Sequence, residues 1–272
     1  MFDDFLQGIN QYWTQTCIGP GSLSVNDSIL RFSIPMILQG EYADAQVDDY
    51  AGRIRSAFPW TPPLRMEVRA RSSLPAAGPT SHSESGEVLR GTAGFGFWNY
   101  PFSVRGDPLM LPEAIWFFYA SPPSNMALVP GVPGWGWKAQ VVHSMRPGAL
   151  LATIPTALST GWARVTGHTE HAERWLKRLS GACETLVPVT MTDWHSYTLE
   201  WRKDKAQFWV DGVEILRVLQ PPTARLGFVA WLDNQYTVVT PRGIYRSGTI
   251  SSSPEWFELD SVTIEKLAPN AG

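Results

Sequence analysis

The chain has little charge and almost no cysteine. Only 17% of its 272 residues are Asp, Glu, Lys or Arg, and the net charge is −3. So even a balance lacks the basic stripe that holds phosphate backbones, so no nucleic-acid partner is expected. No run of residues reaches the ~18–20 apolar positions of a membrane span, so no membrane partner is expected either. Cys17 and Cys183 share no CxxC or metal-ligand spacing. A disulfide would need their Cα atoms within about 7 Å, and two thiols in a reducing compartment is the favoured reading. The first residues, MFDDFLQGINQYW, lack the basic and apolar regions of a secretion signal, so a cytoplasmic location is expected. GxGxxG, the P-loop, GxSxG and HExxH are also missing. Their absence leaves nucleotide cofactors, the nucleophile elbow and zinc-protease chemistry unsupported.

Aromatic residues and turn formers are plentiful. There are 13 Trp, 12 Phe and 8 Tyr beside 23 Gly and 22 Pro. The glycines and prolines punctuate short alternating runs, as in many strands joined by turns. Residues 24–34 read as strand, Asn-Asp turn, strand. Residues 64–71 alternate apolar and charged side chains, which gives a strand one wet face. Residues 196–201 and 206–210 flank a polar hairpin at 202–205, and Asp211-Gly212 turns the chain into a further strand at 213–216. Residues 114–119 are unbroken apolar and aromatic. Two stretches break the rhythm. The polar, turn-rich segment 74–90, which holds His82, reads as a mobile loop. Residues 166–180 hold the best helix candidate: Glu170 and Glu173 lie early, Lys177 and Arg178 late, and Trp175, Leu176 and Leu179 form a docking stripe. The expected fold is all-β: a two-sheet antiparallel jelly-roll sandwich spanning 1–272 as one domain, with one inserted helix.

Trp194-His195-Ser196-Tyr197-Thr198-Leu199-Glu200-Trp201, followed by Phe208-Trp209-Val210-Asp211-Gly212, carries a family resemblance. It resembles the W-H-x-Y-x-x-E-W strand and F-x-V-D-G turn of the concanavalin-A-like lectin and glucanase superfamily, glycoside hydrolase family 16 in particular. Asp3-Asp4-Phe5, the strand Glu67-Val68-Arg69-Ala70-Arg71, the segment Gly94-Phe95-Gly96-Phe97-Trp98 and the closing run Glu258 to Ile264 resemble that family in the same order. The resemblance implies a sandwich whose concave face binds sugar. It also implies an E-x-D-x-E strand after the cleft Trp, because retaining hydrolysis needs two carboxyls about 5–5.5 Å apart. Here that strand reads Glu113-Ala114-Ile115-Trp116-Phe117-Phe118-Tyr119. Glu113 matches the first acid and apolar residues replace the others, so ordinary retaining hydrolysis is not expected. The resemblance further raises a structural calcium near Asp3, Asp4 and Asp260; no other cofactor and no catalytic metal is expected.

The candidate ligand-binding rings are Trp98, Tyr100, either Trp116 or Phe117, Tyr119, Trp135 and Trp137, since sugars and flat apolar ligands both stack on aromatic faces. Asp233, Asn234, Gln235 and Tyr236 form a polar cluster able to orient a ligand, or else a strand-end turn. Gln46 and Asp49 belong to a second such cluster. His143 follows Trp137 at even spacing and is a candidate acid or base. His195 reads as scaffold, and His168 and His171 as a solvated helix face. The expected catalytic set is therefore Asp233, Asp49, His143 and Glu113. Trp98, Tyr119, Trp135, Trp137, Asn234, Gln235, Tyr236 and Gln46 are the expected binding residues for a small-molecule or glycoside ligand. The leading reading is an enzyme performing non-hydrolytic chemistry, of cyclase, isomerase or lyase type, on a small apolar ligand. A carbohydrate-binding, lectin-like module is the first alternative and a divergent glycosidase the second.

Overall fold

The computed structural model describes residues 1–78, 87–100, 112–129, 131–143, 181–239 and 245–268. Two antiparallel sheets pack face to face. The first runs β13 (Val213–Leu219), β12 (Lys205–Val210), β11 (His195–Trp201), β6 (Leu64–Ser72), β17 (Glu255–Lys266), β4 (Ile29–Ile34), β3 (Ser22–Asn26), with β1 (Phe2–Asp3) also on β17. The second runs β10 (Cys183–Leu186), β9 (Gly136–His143), β8 (Glu113–Ala120), β7 (Thr92–Trp98), β14 (Gly227–Asp233), β5 (Asp44–Asp48), β2 (Thr14–Ile18). β15 (Gln235–Val239) and β16 (Tyr245–Thr249) form a separate ribbon. Among the described residues there is no α-helix, only a 3-10 turn at Arg55–Ala57. The helix expected over 166–180, with His168 and His171, lies outside the described residues, as does His82.

Local chemistry explains the elements. In β6 the apolar positions Leu64, Met66, Val68 and Ala70 are buried, and Arg65, Glu67, Arg69 and Arg71 face outward. Asp27 and Ser28 both take positive φ between β3 and β4, as do Asp211 and Gly212 between β12 and β13. Two such residues in a row match the right-handed twist of a tight hairpin. The core lies between the sheets, where Phe32, Leu199, Trp201, Phe208 and Phe257 meet Phe95, Phe97, Phe117, Val141 and Phe228. Phe117 and Phe208 stand edge to face at 5.4 Å. Each such side chain, fully buried, contributes about 1.5–3 kcal/mol. Cys17 and Cys183 sit on opposite edge strands of the second sheet. Six strand spacings of about 4.8 Å put them about 29 Å apart, so they do not pair with each other. The ends of the 74–90 segment are anchored: Ala77 N–H donates to Tyr119 Oη at 3.1 Å, and Leu89 is in the core.

Candidate functional site

Strand alternation assigns one row of each strand in the second sheet to the core and the other to its outer face. The core rows are Ala93, Phe95 and Phe97 on β7, Ile115, Phe117 and Tyr119 on β8, and Phe228, Ala230 and Leu232 on β14. The outer face therefore carries Thr92, Gly94, Gly96 and Trp98; Ala114, Trp116, Phe118 and Ala120; and Gly227, Val229, Trp231 and Asp233. β5 adds Asp44, Gln46 and Asp48, and β9 adds Lys138 and Gln140. Register aligns these positions across the sheet. One row reads Gln46, Trp231, Gly94, Phe118, Lys138, and the next Asp48, Val229, Gly96, Trp116, Gln140, Glu184.

The centre is an aromatic platform. Trp116 lies 5.9 Å from Trp98, 5.4 Å from Trp231 and 5.3 Å from Phe118, ring centre to ring centre. Tyr50, Phe58 and Met126 extend the same apolar cluster. Glycines make the room: a Cβ on Gly96 would run into Trp116, and one on Gly94 would press against the Trp231 ring at 3.0 Å. Each indole N–H is tied down. Trp98 donates to Tyr50 Oη at 2.8 Å, Trp116 to Gln140 Oε1 at 2.7 Å and Trp231 to Thr92 Oγ1 at 2.9 Å. The rings are thus held in orientation by their polar ends. Trp98 and Trp116 stay half-buried, while Trp231 and Phe118, both packed on Trp116, are buried.

Polar groups flank the platform on both sides. On one side Gln140 Nε2 donates to Glu184 Oε2 at 2.6 Å, and Lys138 Nζ reaches the same oxygen at 3.2 Å. Both side chains of this ion pair are buried. Burial pushes the Lys138 ammonium pKa down, and Glu184 opposes it. On the other side Asp233 Oδ1 accepts from Thr92 N–H, Thr92 Oγ1 and Gln235 N–H. Burial pushes Asp233 up to about 6 against those bonds. Asp44, directly opposite it, is pushed up to about 8 by burial, then by Asp233 and Asp48. Asp48 also rises through burial, although Ala51 N–H, Gln46 and Tyr50 N–H donate to it.

No protein-family model matches this sequence, and no curated protein is similar enough to count as a relative. Solved structures do match. An endo-acting O-glycanase from the human gut microbiota superposes with TM-score 0.54 at 13% identity, covering 98% of this chain and 99% of that one. An immunostimulatory antigen and pseudo β-1,3-glucanase of Mycobacterium tuberculosis gives TM-score 0.53 at 13% identity, covering 98% of each chain. A GlcNAcα1-4Gal-releasing endo-β-galactosidase from Clostridium perfringens gives TM-score 0.50 at 12% identity over 96% of this chain, which spans 61% of that protein's length. The chain shares the two-sheet antiparallel sandwich fold of these proteins.

On this sandwich the residues singled out from sequence scatter. Trp98, Gln46 and Asp233 lie on the outer face of the second sheet. Tyr119 and Trp137 belong to the core row, where Tyr119 Oη donates to Leu89 O at 2.6 Å and Trp137 packs on Phe95 and Phe117. Trp135 precedes β9 in a turn. Glu113 shares the core-ward row of β8 and holds His143 Nδ1 at 2.9 Å, so neither carboxyl nor imidazole faces the platform. Asp49 is engaged by Phe228 N–H and Trp60 Nε1. Burial pushes it up to about 7. Asn234 is a brace: its amide accepts from Ala43 N–H and donates to Glu41 O and Ile250 O at 2.8–2.9 Å. Gln235 is exposed and Tyr236 half-buried on β15. His195 is scaffold, held by Asp211 at 2.6 Å and Thr190 O at 3.1 Å.

Sequence reasoning missed Trp231, Phe118, Lys138, Gln140, Glu184 and Asp44 as site residues. The spacing of Asp44, Gln46 and Asp48, three polar positions two apart, was the available signal. The calcium donors do not converge. Asp3 accepts from Phe5 N–H and Trp13 Nε1, Asp4 from Leu6 N–H, and Asp260 pairs with Arg69 at 3.2 Å. Among the described residues no three acidic, His or Cys side chains are placed to share a metal. No described helix is long and apolar enough to cross a membrane.

Proposed function

We propose that the outer face of the second sheet binds a glycan, with sugar rings stacked on Trp98 and Trp116. The observation that carries this is the platform itself. Its indole N–H groups are bonded within the sheet, leaving ring faces as the contact surface, and Gln46, Asp48 and Gln140 stand beside them to meet hydroxyls. The three matched structures support the reading by name, since they are a glycanase, a galactosidase and a pseudo-glucanase. The outer row of β8 holds Ala114, Trp116, Phe118 and Ala120, so that strand offers no acid pair for glycoside cleavage. The proposed role is accordingly recognition.

A second reading, a small apolar ligand turned over by non-hydrolytic chemistry, has one observation in its favour: Tyr50, Phe58, Phe118 and Met126 widen the apolar cluster beyond what ring stacking requires. Tryptophan fluorescence titrated with neutral β-glucan and galactan oligosaccharides separates the two. Saturable binding, weakened about tenfold by Trp116→Ala, is expected. Absence of glycan binding beside a thermal shift with apolar metabolites would favour the second reading.

A further inference from the structure

The chemistry changes at the end of the face beyond Trp231. Asp44 and Asp233 face each other directly on adjacent strands, with Cβ atoms about 4.5–5.5 Å apart. Asp48 lies on the same face of β5, about 13 Å along. Tyr42, half-buried, senses both Asp233 and Asp44, and its hydroxyl is held well above its usual range by burial first and those two acids next. The three acids lack a cationic partner: among the described residues no Lys, Arg or His pairs with Asp44, Asp48 or Asp233.

Two of the three acids have structural employment. Asp48 ties the turn after β5 through Tyr50 and Ala51. Asp233 Oδ1 takes three hydrogen bonds, but its Oδ2 takes none from a described residue. Asp44 is the exception. It is only 6% exposed, and no described residue donates to either of its oxygens. The fully sealed side-chain atoms without a partner are Trp137 Nε1, Glu184 Oε1, Ser252 Oγ and Glu255 Oε1. The Asp44 oxygens are not in that set, so they open on to the outer face. A buried carboxyl without a donor is costly, and nothing in the turn or strand geometry uses it.

We propose that Asp44 and Asp233, with Tyr42, form a subsite for the ammonium of an amino sugar in the bound glycan. This rests on the glycan reading above. Side chains directly opposite on adjacent strands can bond one nitrogen between them, and charge-assisted bonds to carboxylate are about twice as strong as neutral ones. Tyr42 Oη offers a third acceptor. An ammonium favours the ionised form of both carboxyls and offsets their repulsion and burial, which a neutral hydroxyl does not. A metal ion would need more convergent oxygens than stand here.

The test is titration of the full chain near neutral pH with three probes: an oligosaccharide of glucosamine, its fully N-acetylated counterpart, and a neutral β-glucan oligosaccharide. The free-amine oligomer is expected to bind about tenfold tighter than the acetylated one, and the preference to shrink as salt rises. Asp44→Asn should abolish the preference, bringing the free-amine oligomer's affinity down to that of the acetylated one. Equal binding of the amine and acetylated oligomers, or a preference that survives Asp44→Asn or is insensitive to salt in the unaltered chain, overturns the subsite while the platform stands. Failure of all three probes to bind removes the platform reading, and this subsite with it.

Discussion

The two outer faces of the sandwich are built from the same strand geometry and treat tryptophan in opposite ways. On the first sheet, Arg69 and Arg71 stand over Trp194 at 4.9 and 4.6 Å, and Arg31 and Arg71 over Trp256 at 4.8 and 5.3 Å. Those guanidinium groups are in turn paired, Arg31 and Arg71 with Glu258 at 2.6 and 2.8 Å and Arg69 with Asp260 at 3.2 Å. The rings there are roofed by charge. On the second sheet no guanidinium or ammonium of a described residue stands over Trp116 or Trp231. Their neighbours are other rings, and among the described residues no Lys, Arg or His pairs with Asp44, Asp48 or Asp233. A Trp under a paired Arg has spent its face on the fold; a Trp held by its N–H keeps that face for something else.

The comparison can be broken most sharply at the glycines. Gly96 takes φ +147 beneath Trp116, and a Cβ there would strike Trp116. Gly96→Val should cost on the order of 3 kcal/mol or more by denaturant unfolding, through backbone strain and overpacking together. An unchanged midpoint would mean the platform is not rigidly seated.

A smaller effect distinguishes the acidic end by pH. Asp44 and Glu255 are each pushed up to about 8, both chiefly by burial. A carboxyl raised in the folded state binds its proton more tightly there than in the unfolded chain. Its contribution to stability is full below about pH 4 and is lost as pH rises through about 8. Asp44→Asn should therefore raise Tm relative to the unaltered chain by a few degrees near pH 8.5, and by nothing or less at about pH 4. A difference independent of pH would show that Asp44 is not held protonated by the fold.

The smallest effect belongs to the charged face. Arg65 is 40% exposed and touches Glu67 and Glu200 at 3.2 and 3.6 Å. Arg65→Gln should change unfolding free energy by less than about 0.5 kcal/mol. A loss above 1 kcal/mol, on the order of a buried pair, would mean that this network matters more than its exposure suggests.

Much of the scaffold could be read in advance. The alternation of Leu64 to Arg71 marked both the strand and its wet face, because charged and apolar side chains take turns there. Asn26-Asp27 and Asp211-Gly212 marked hairpins, since those residues tolerate positive φ. The functional face resisted for the same reason in reverse. In β8 both rows are apolar, so nothing in Glu113-Ala114-Ile115-Trp116-Phe117-Phe118-Tyr119 says which row is wet. A one-residue slip exchanges the two faces, so the sequence alone could not tell that Glu113, Tyr119 and Trp137 stand in the core row. Asp233 and Asn234, neighbours in sequence, also divide: one lines the outer face, the other braces the backbone.

The sequence by itself determined two stacked antiparallel sheets, because strand alternation and turn chemistry act over a few residues and survive in any context. It also determined that no E-x-D-x-E motif stands anywhere in the chain. Only the tertiary structure decided that Trp98, Trp116 and Trp231 share one face and that Asp44 meets Asp233. Those meetings depend on the register of strands distant in the chain, and register is set by the packing of the whole core.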